Sequence, residues 1–312
     1  MHNFFLTFDV EDYINPNSTH ALSNILEILE KYKIKALFFI TGHMAEKIRN
    51  FPNIIKMLEK HEIGYHSSSH SVRPTILEYT DLNSYQDAYE ISLKRETSHI
   101  NPLTGEIEGG GGIKCLKEIF PTKQIIAYRA PGCSWSAPHL EALRDLGIKF
   151  DFSSIFSHNP FYYKGITFYP YYPQLGEWQG NITQYIIVIR SILTLQHTIM
   201  DMHPNHLVNQ NMWDFIYYHG NPDKQNQAKQ RNSKSITSLF KSFEFLLRQL
   251  CAFQKIRLIK ISTDLVTSHK TISQEEIDFK KAYEHSIYWV KTYFNYEPKF
   301  IYNHFMKFFN LS

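Results

Sequence analysis

The sequence predicts an α/β fold in which mostly parallel strands form a closed or distorted barrel. Short apolar runs that end in polar or charged residues alternate with amphipathic segments through most of the 312 residues. Such alternation is typical of right-handed βαβ units, whose helices cover a parallel sheet. Seven or eight strand candidates favour a barrel over an open doubly wound sheet. The chain has no glycine motif for binding nucleotide phosphates.

The predicted elements follow one another at the spacing that βαβ units require. Buried strands are predicted at residues 4–9, 34–40, 63–65, 125–128, 148–152, 198–202 and 256–261. Helices are predicted at residues 22–29, 45–60 with a break at Pro52, 84–94, 138–146 and 236–250. Ser18 and Thr19 are the expected caps of the first helix. Gly109–Gly112 lacks a preceding strand and is interpreted as a flexible insertion.

Two domains are expected, a barrel over residues 1–270 and a helical extension over residues 271–312. Ser273 and Glu276 have the spacing of a capping box at the start of this extension. Four apolar residues then recur on one helical face: Phe279, Tyr283, Ile287 and Val290. The aromatic end, residues 299–309, is expected to pack on the barrel or to form the interface of a homo-oligomer.

Composition excludes several functional classes. The 33 basic and 30 acidic residues give a net charge of +3, too small an excess to predict nucleic-acid binding. The three cysteines, Cys115, Cys133 and Cys251, are too few and too widely spaced for a disulfide framework or a CxxC metal site. With 43% hydrophobic and 20% charged residues, the chain is typical of globular proteins.

No targeting or membrane-spanning segment is predicted. Met1 is followed at once by the strand-like run Asn3–Phe8, which leaves no room for a signal peptide. The longest apolar run, Tyr185–Leu195, is interrupted by Arg190 and Ser191 and is too short to cross a bilayer. We therefore expect a soluble protein of the cytoplasm.

Three acids follow the first predicted strand. Asp9, Glu11 and Asp12 lie within four residues of one another, directly after a buried apolar run. Carboxylates in such a place are costly unless a cation or hydrogen-bond donors meet them. Two interpretations stay open at this point, a cation site and a solvated turn whose acids cap a helix.

A pair of histidines follows the third strand. His66 and His70 have the spacing i, i+4, which places both imidazoles on one side of either a helix or an extended segment. They can therefore share one ion, typically zinc or a similar divalent metal. In a chain with 16 histidines such a pair also arises by chance.

An arginine and a third histidine follow two later strands. Arg129 emerges from an apolar run, so it is expected to meet a carboxylate. His203 lies in the segment Asp201–Pro204, again at the end of an apolar strand. The clusters thus share the carboxyl ends of different strands, which in barrels is the edge where catalytic residues gather.

Five segments in this order resemble the polysaccharide deacetylases, also called the NodB-homology group or carbohydrate esterase family 4. The matching segments are Thr7–Asp9, Ala36–Gly42, His61–His70, Tyr128–Gly132 and Met202–Pro204. The resemblance covers roughly residues 3–204, with a weaker match at Leu258–Leu265. It implies a distorted (β/α)7–8 barrel that holds one divalent metal between an acid and two histidines.

The resemblance also implies a role for each matching residue. Asp9 matches the catalytic base, and Arg129 matches the arginine that orients it. His203 matches the general acid, and the backbone N–H of Gly132 matches an oxyanion donor. Because an amide needs a proton on its leaving group, we expect the loss of His203 to cost more turnover than the loss of Arg129.

His66 and His70 match the metal ligands, but the acidic ligand is ambiguous. Many family members have two adjacent aspartates, whereas Val10 follows Asp9 here. Glu11 shares a face with Asp9 on a regular strand, and Asp12 becomes available if the strand ends at Asp9. The metal implied is zinc, with cobalt, nickel or manganese as alternatives.

The resemblance implies hydrolysis of an N-acyl group on an acylated amino sugar. Since no export signal is predicted, we expect a nucleotide- or lipid-linked intermediate of surface-polysaccharide synthesis. Two alternatives stay open, an amidohydrolase of cyclic imides or ureides on the same barrel and a non-catalytic carbohydrate-binding relative. Trp135 could line an acyl pocket or pack in the core. The aromatic segment Phe161–Trp178 could stack on sugars or cover an edge of the core.

Overall fold

A curled sheet with helices on its outer side forms the body of the protein. The computed structural model describes residues 1–73, 75, 82, 84–154, 160–173, 175, 177–195, 197–210, 229–266 and 279–294. The strands are β1 His2–Val10, β2 Leu37–Ile40, β3 Glu62–Tyr65, β4 His99–Ile100, β5 Ile107–Glu108, β6 Ala127–Tyr128, β7 Phe150–Ser154, β8 Phe161–Tyr163, β9 Ile166–Pro170, β10 His197–Met202 and β11 Ile259–Ile261.

The helices connect successive strands and pack against the sheet. They are α1 Pro16–Tyr32, α2 Gly42–Ile48, α3 Pro52–Leu58, α4 Tyr85–Glu96, α5 Ile113–Ile119, α6 Ala137–Asp145, α7 Ile182–Thr194, α8 Pro204–Val208, α9 Ser233–Lys255 and α10 Phe279–Phe294. A 3₁₀ turn spans Pro131–Cys133. None of the described helices combines the length and the apolarity that crossing a bilayer requires.

The order of the strands confirms the predicted α/β class. Neighbours in the large sheet run β10–β1–β2–β3–β6–β7–β9–β8, and β11 pairs with the first residues of β1. All of these pairs are parallel except β8 with β9. Just past β9, the carbonyl of Tyr172 accepts a hydrogen bond of 2.7 Å from the N–H of Ile199 on β10. The sheet therefore curls until its two ends approach each other.

Alternating side chains of β1 enter two different core layers. Phe4, Leu6 and Phe8 pack in the large layer between sheet and helices. Phe5 packs in a smaller inner layer enclosed by the curled sheet; the other members of this layer are Leu37, Phe39, Ala127, Phe150, Phe152, Tyr169 and Ile199. Because side chains alternate along a strand, Asp9 follows Phe5 on the inner face.

Helix α1 was predicted correctly, but its cap was not. The four residues expected on its buried face, Leu22, Ile25, Leu26 and Leu29, are all buried. The helix starts at Pro16 with Asn15 as its N-cap, whose side chain accepts from the N–H of Asn17. Ser18 and Thr19, the expected caps, lie inside the first turn instead, because proline at the first helical position lets the helix begin earlier.

One segment had no predicted structure, and another was interpreted wrongly. The apolar run Tyr185–Leu195, expected only to be too short to cross a bilayer, lies in a surface helix, α7. The glycine run was expected to be loose, yet Gly112 is packed: it has φ of +56°, and a Cβ there would lie 2.3 Å from the carbonyl oxygen of Glu96. Only glycine tolerates that combination, which a sequence pattern does not reveal.

The predicted C-terminal helix is present as α10. Its residues Tyr283 and Ile287 are partly buried against the main core, and His285 Nε2 donates to the carbonyl of Gly132 over 2.7 Å. The proposed domain boundary near residue 270, the capping box and the aromatic end lie outside the described residues.

Candidate catalytic site

The first strand brings its two inner-face acids to the carboxyl edge of the sheet. Asp9 lies at the end of β1 and Glu11 directly after it, and both are buried. Asp12 turns away towards α1. Its carboxylate accepts hydrogen bonds from the backbone N–H groups of Ile14 and Asn15 and from the hydroxyl of Ser18. Of the two acids left open by the sequence, only Glu11 faces the histidines.

His66 and His70 converge on Glu11. Their Nε2 atoms lie 3.4 Å and 3.0 Å from Oε2 of Glu11, and the ring centroids are 5.0 Å apart. His66 Nδ1 lies 2.8 Å from the carbonyl oxygen of Arg129, which can only accept, so this nitrogen carries the proton. His70 Nδ1 lies 2.7 Å from the hydroxyl of Ser71. Both Nδ1 atoms are thus engaged by neighbouring groups, and both Nε2 atoms face the carboxylate.

The loop that carries the two histidines has a strained backbone. Ser67 and His70 adopt φ values of +65° and +53°, which are uncommon for residues with a side chain. Several hydrogen bonds hold this shape: the N–H groups of Gly42 and His43 donate to the carbonyls of Ser67 and Ser68, and the N–H of His70 donates to the hydroxyl of Ser67. Such strain persists only where the surroundings fix it, and it is frequent at functional sites.

A buried carboxylate, Glu96, holds the same loop by accepting hydrogen bonds. It accepts from the N–H of Ser68 over 2.9 Å and from the hydroxyl of Tyr65 over 2.6 Å. Burial alone would raise the pKa of Glu96, but Arg95 and His139, at 2.6 Å and 2.8 Å, lower it to about 2. Glu96 is therefore ionised at neutral pH and ties the loop to α4.

Glu11, His66 and His70 form a donor set that suits a divalent metal. Oε2 of Glu11 and Nε2 of His66 are buried, and among the described residues neither atom has a hydrogen bond of ordinary geometry; their close neighbours are each other and Nε2 of His70. One ligand atom from each of the three residues lies within 4.8 Å of the others. Ligands about 2 Å from a tetrahedral zinc lie roughly 3.3 Å apart, close to the two separations observed here. The residues therefore fit the implied metal, and each Nδ1 contact orients its imidazole as an outer-shell partner does.

Arg129 lies between two carboxylates on the inner face of the sheet. Its Nη1 donates to Asp9 over 2.8 Å and also to Asp201, and its Nη2 donates to the hydroxyl of Thr7 over 2.9 Å. Burial raises the pKa of Asp9, and the arginine opposes this rise only in part. Burial acts in the same direction at Asp201, but Arg129, His203 and the hydroxyl of Tyr171 together lower the pKa of that carboxyl.

His203 approaches the same carboxylate oxygen of Asp9 as His66 does. Its Nε2 lies 3.7 Å from Oδ2 of Asp9, and Nε2 of His66 lies at the same distance from this oxygen. Its Nδ1 lies 3.5 Å from Oδ2 of Asp201. The side chain of His203 is 19% exposed, so it is more open to solvent than Asp9, Glu11 and Asp201.

Asp9, Asp201 and His203 also lie close enough to share an ion. We do not assign them a metal, because the guanidinium of Arg129 already contacts both carboxylates. Asp9 Oδ1 points to the arginine, which leaves Oδ2 between the imidazoles of His66 and His203. This arrangement suits a base that is placed beside, and outside, the metal position.

Two residues of the site were missed by the sequence analysis. Asp201 was noted but given no role, although it lies two residues before His203 and contacts both Arg129 and His203. Tyr171, from the aromatic segment, donates its hydroxyl to Asp201 over 2.9 Å and covers the guanidinium of Arg129. The shared strand face was a usable signal for Asp201, whereas Tyr171 had none.

Gly132 and Trp135 follow Arg129 along the chain but differ in their surroundings. Gly132 lies in the 3₁₀ turn with φ of +57°, and its carbonyl accepts from His285. Trp135 is fully buried in the large core layer between sheet and helices, where its ring centroid lies 5.5 Å from that of Phe168. The structure thus favours a packing role for Trp135. Most of the aromatic segment is similarly buried in the hairpin β8–β9 and its flanks.

A comparison with protein families agrees with this geometry. Residues 2–150 match the family model described as polysaccharide deacetylase. Residues 2–150 therefore belong to the polysaccharide deacetylase family. This match includes Asp9, Glu11, His66, His70 and Arg129, and it ends before Asp201 and His203.

Several known proteins are similar to this chain. An uncharacterised 30.6 kDa protein of Geobacillus stearothermophilus is 36% identical over 123 residues, which span 39% of this chain and 40% of that relative. A putative polysaccharide deacetylase from Mycobacterium smegmatis is 14% identical, with a TM-score of 0.45 over 85% of this chain and 94% of the other. A family 4 carbohydrate esterase from Streptomyces lividans, in complex with acetate, is 11% identical, with a TM-score of 0.42 over 84% and 92%.

Proposed function

We propose that this protein is a metal-dependent hydrolase that removes the N-acyl group of an acylated amino sugar. One observation supports this proposal above the others: Oδ2 of Asp9 lies 3.7 Å from both His66 and His203, beside the metal-ligand set of Glu11, His66 and His70. A base, an acid and a Lewis-acid position thus surround one small volume. The family of residues 2–150 agrees with this chemistry.

Glu11, His66 and His70 would hold the divalent cation, which we propose to be zinc. When bound, such a cation supplies Lewis-acid chemistry by polarising the acyl oxygen and acidifying water. Asp12 is not part of this ligand set, since its oxygens accept hydrogen bonds from the turn before α1 and from the hydroxyl of Ser18. Cobalt, nickel and manganese are also compatible with a set of one carboxylate and two imidazoles.

Asp9 is the proposed general base. Arg129 engages its Oδ1, so the carboxylate is oriented and the other oxygen, Oδ2, can take a proton from the attacking water. Burial raises the pKa of Asp9, which makes the carboxylate a stronger base than an exposed aspartate. The water oxygen forms the new bond to the acyl carbon as its proton moves to Asp9.

His203 is the proposed general acid. When the tetrahedral intermediate collapses, its C–N bond breaks and the nitrogen takes a proton from Nε2 of His203. Asp201 faces Nδ1 of the ring and stabilises the imidazolium, and Tyr171 and Arg129 orient Asp201. We also propose that the backbone N–H of Gly132 donates a hydrogen bond to the oxyanion of the tetrahedral intermediate. The products are a carboxylate and a free amino sugar.

The proposed substrate is a nucleotide- or lipid-linked sugar with an acetylated amine. A mass-shift screen of such sugars tests it: a loss of 42 mass units that depends on added zinc and stops with a chelator is expected for acetyl removal. Loss of a formyl group would support the reaction and change the acyl specificity. Hydrolysis of a cyclic imide or ureide without sugar deacylation would contradict the proposed substrate. Failure to bind metal or to hydrolyse any amide would contradict the catalytic function.

A further inference from the structure

Helix α7 has a second apolar face, which the barrel does not cover. Ile182, Ile186, Ile189 and Leu193 are 72%, 56%, 45% and 68% exposed. Their spacing of three or four residues aligns them in one stripe along the helix. The buried residues of α7, among them Val188 and Ile192, lie on a different side and pack against the core. An exposed apolar stripe of this length is unusual for a surface that faces only water.

Helix α9 extends this apolar surface. The ring of Tyr185 on α7 meets Phe245 on α9 edge-on, with centroids 5.6 Å apart, and its hydroxyl donates to the carbonyl of Ser242 over 2.9 Å. The two helices are therefore held side by side. Phe245 is 43% exposed, so an aromatic side chain stands next to the aliphatic stripe.

Cations flank the apolar stripe on both sides. On α9, four exposed basic residues recur every seven positions and thus share its outer face: Lys234, Lys241, Arg248 and Lys255. Arg248 lies over the ring of Phe245. On α7, Arg190 is exposed on the other flank.

Acidic residues are scarce on this surface. Helix α7 contains none, and the single acid of α9, Glu244, is paired with Lys31 of α1. The chain as a whole has nearly balanced charge, so this local excess of cations is a property of the surface itself.

We propose that the surface formed by α7 and α9 binds the face of an anionic lipid bilayer. Apolar side chains flanked by basic ones match such a membrane, because the aliphatic groups enter the acyl boundary while the cations meet lipid phosphates. A second copy of the chain would bring the same basic rows together, which disfavours a symmetric dimer through this surface. Membrane binding does not depend on the proposed hydrolysis, but it would place the protein beside lipid-linked sugars.

Vesicle sedimentation tests this inference. The full-length protein is mixed with vesicles of phosphatidylcholine, with and without about 30% phosphatidylglycerol. We expect at least tenfold stronger partitioning onto the anionic vesicles, weakened by high salt. Ile186→Gln with Ile189→Gln should lower it about tenfold, and so should Lys241→Gln with Arg248→Gln.

Matched variants elsewhere serve as controls. Leu103→Gln removes an exposed leucine from the turn between β4 and β5, and Lys56→Gln with Lys114→Gln removes two exposed cations from α3 and α5. These controls should bind vesicles as the unaltered protein does. Equal losses in stripe and control variants, or no binding to anionic vesicles, would overturn the inference. A dimer in light scattering that only the stripe variant dissociates would also overturn it, in favour of a second copy.

Discussion

Single residues of the site follow from the alternation of side chains on β1. Phe5, Asp9 and Glu11 share the inner face, and this places one acid beside Arg129 and the other beside the histidines. The sequence motifs were therefore sufficient to find most of the residues that lie together at this edge of the sheet. Tyr171 could not be given a role from sequence, because its partner Arg129 is 42 residues away and the contact depends on how the sheet curls.

Substituting Glu11 and Asp12 one at a time should distinguish metal binding from support of the turn before α1. Glu11→Gln removes the carboxylate that faces both imidazoles, so we expect zinc affinity to fall roughly a hundredfold or more. Asp12→Asn keeps an acceptor for the N–H groups of the turn before α1, so it should retain zinc affinity and lose about 1 kcal/mol of stability. Competition with a chelator measures the affinity, and urea unfolding measures the stability. Normal zinc affinity in Glu11→Gln would exclude it as a ligand.

Loss of the acid and loss of the orienting arginine should differ in turnover and in stability. His203→Ala is expected to lower kcat roughly a hundredfold to ten-thousandfold with little change in stability, because the side chain is partly exposed. Arg129→Ala should lower kcat less. It should also cost about 3–5 kcal/mol, because it leaves Asp9 and Asp201 buried without their cation. Turnover and urea unfolding of both variants check the order, and a larger loss of kcat in Arg129→Ala would reverse our assignment.

At the scale of elements, the histidine loop depends on neighbours that are distant in sequence. Helix α2 supplies N–H donors to the loop and α4 supplies Glu96. The backbone of Gly112 packs against both Glu96 and Tyr65. The spacing of His66 and His70 predicted that they could bind one ion. It did not predict that Ser67 and His70 adopt left-handed backbone conformations in the loop that brings them together. Surrounding contacts impose a positive φ on residues with side chains, and the hydrophobic periodicity of a sequence does not reveal those contacts.

Glu96→Gln tests how much the ionised Glu96 carboxylate contributes to the free energy of unfolding. The pKa of Glu96 is lowered to about 2, so its ionisation stabilises the fold above its ordinary value near 4.5. This contribution is lost as pH falls from about 4.5 towards 2. We expect Glu96→Gln to cost about 3 kcal/mol at pH 7, with a difference from the unaltered protein that shrinks below pH 4.5.

Urea unfolding between pH 7 and about pH 2.5 measures that difference over the range in which Glu96 takes up its proton. Glu90→Gln, an exposed substitution on the same helix, is the matched control and should change stability little at any of these values. A Glu96→Gln variant as stable as the unaltered protein at pH 7 would show that the carboxylate does not hold the loop.

For the whole molecule, the strand–helix alternation was enough to predict the fold class. Most predicted strands and helices are present, since buried parallel strands and amphipathic helices leave strong patterns. The hairpin β8–β9 and helix α7 were missed because neither has a simple apolar period. Strand β9 is buried on both faces, and α7 has exposed as well as buried apolar residues. Closure of the curled sheet by the contact between Tyr172 and Ile199 is a tertiary feature without a local signal.

Metal binding should stabilise the entire fold, because the ligands join the ends of β1 and β3 across the curled sheet. At zinc concentrations near 100 times Kd we expect about 2.7 kcal/mol of added stability, visible as a rise in Tm that a chelator reverses. Calcium, which prefers several oxygen ligands, should not produce this rise. Glu11→Gln should lose the zinc response and Asp12→Asn should keep it. An equal response to zinc and calcium, or an undiminished response in Glu11→Gln, would show that the stabilising ion binds somewhere other than this cluster.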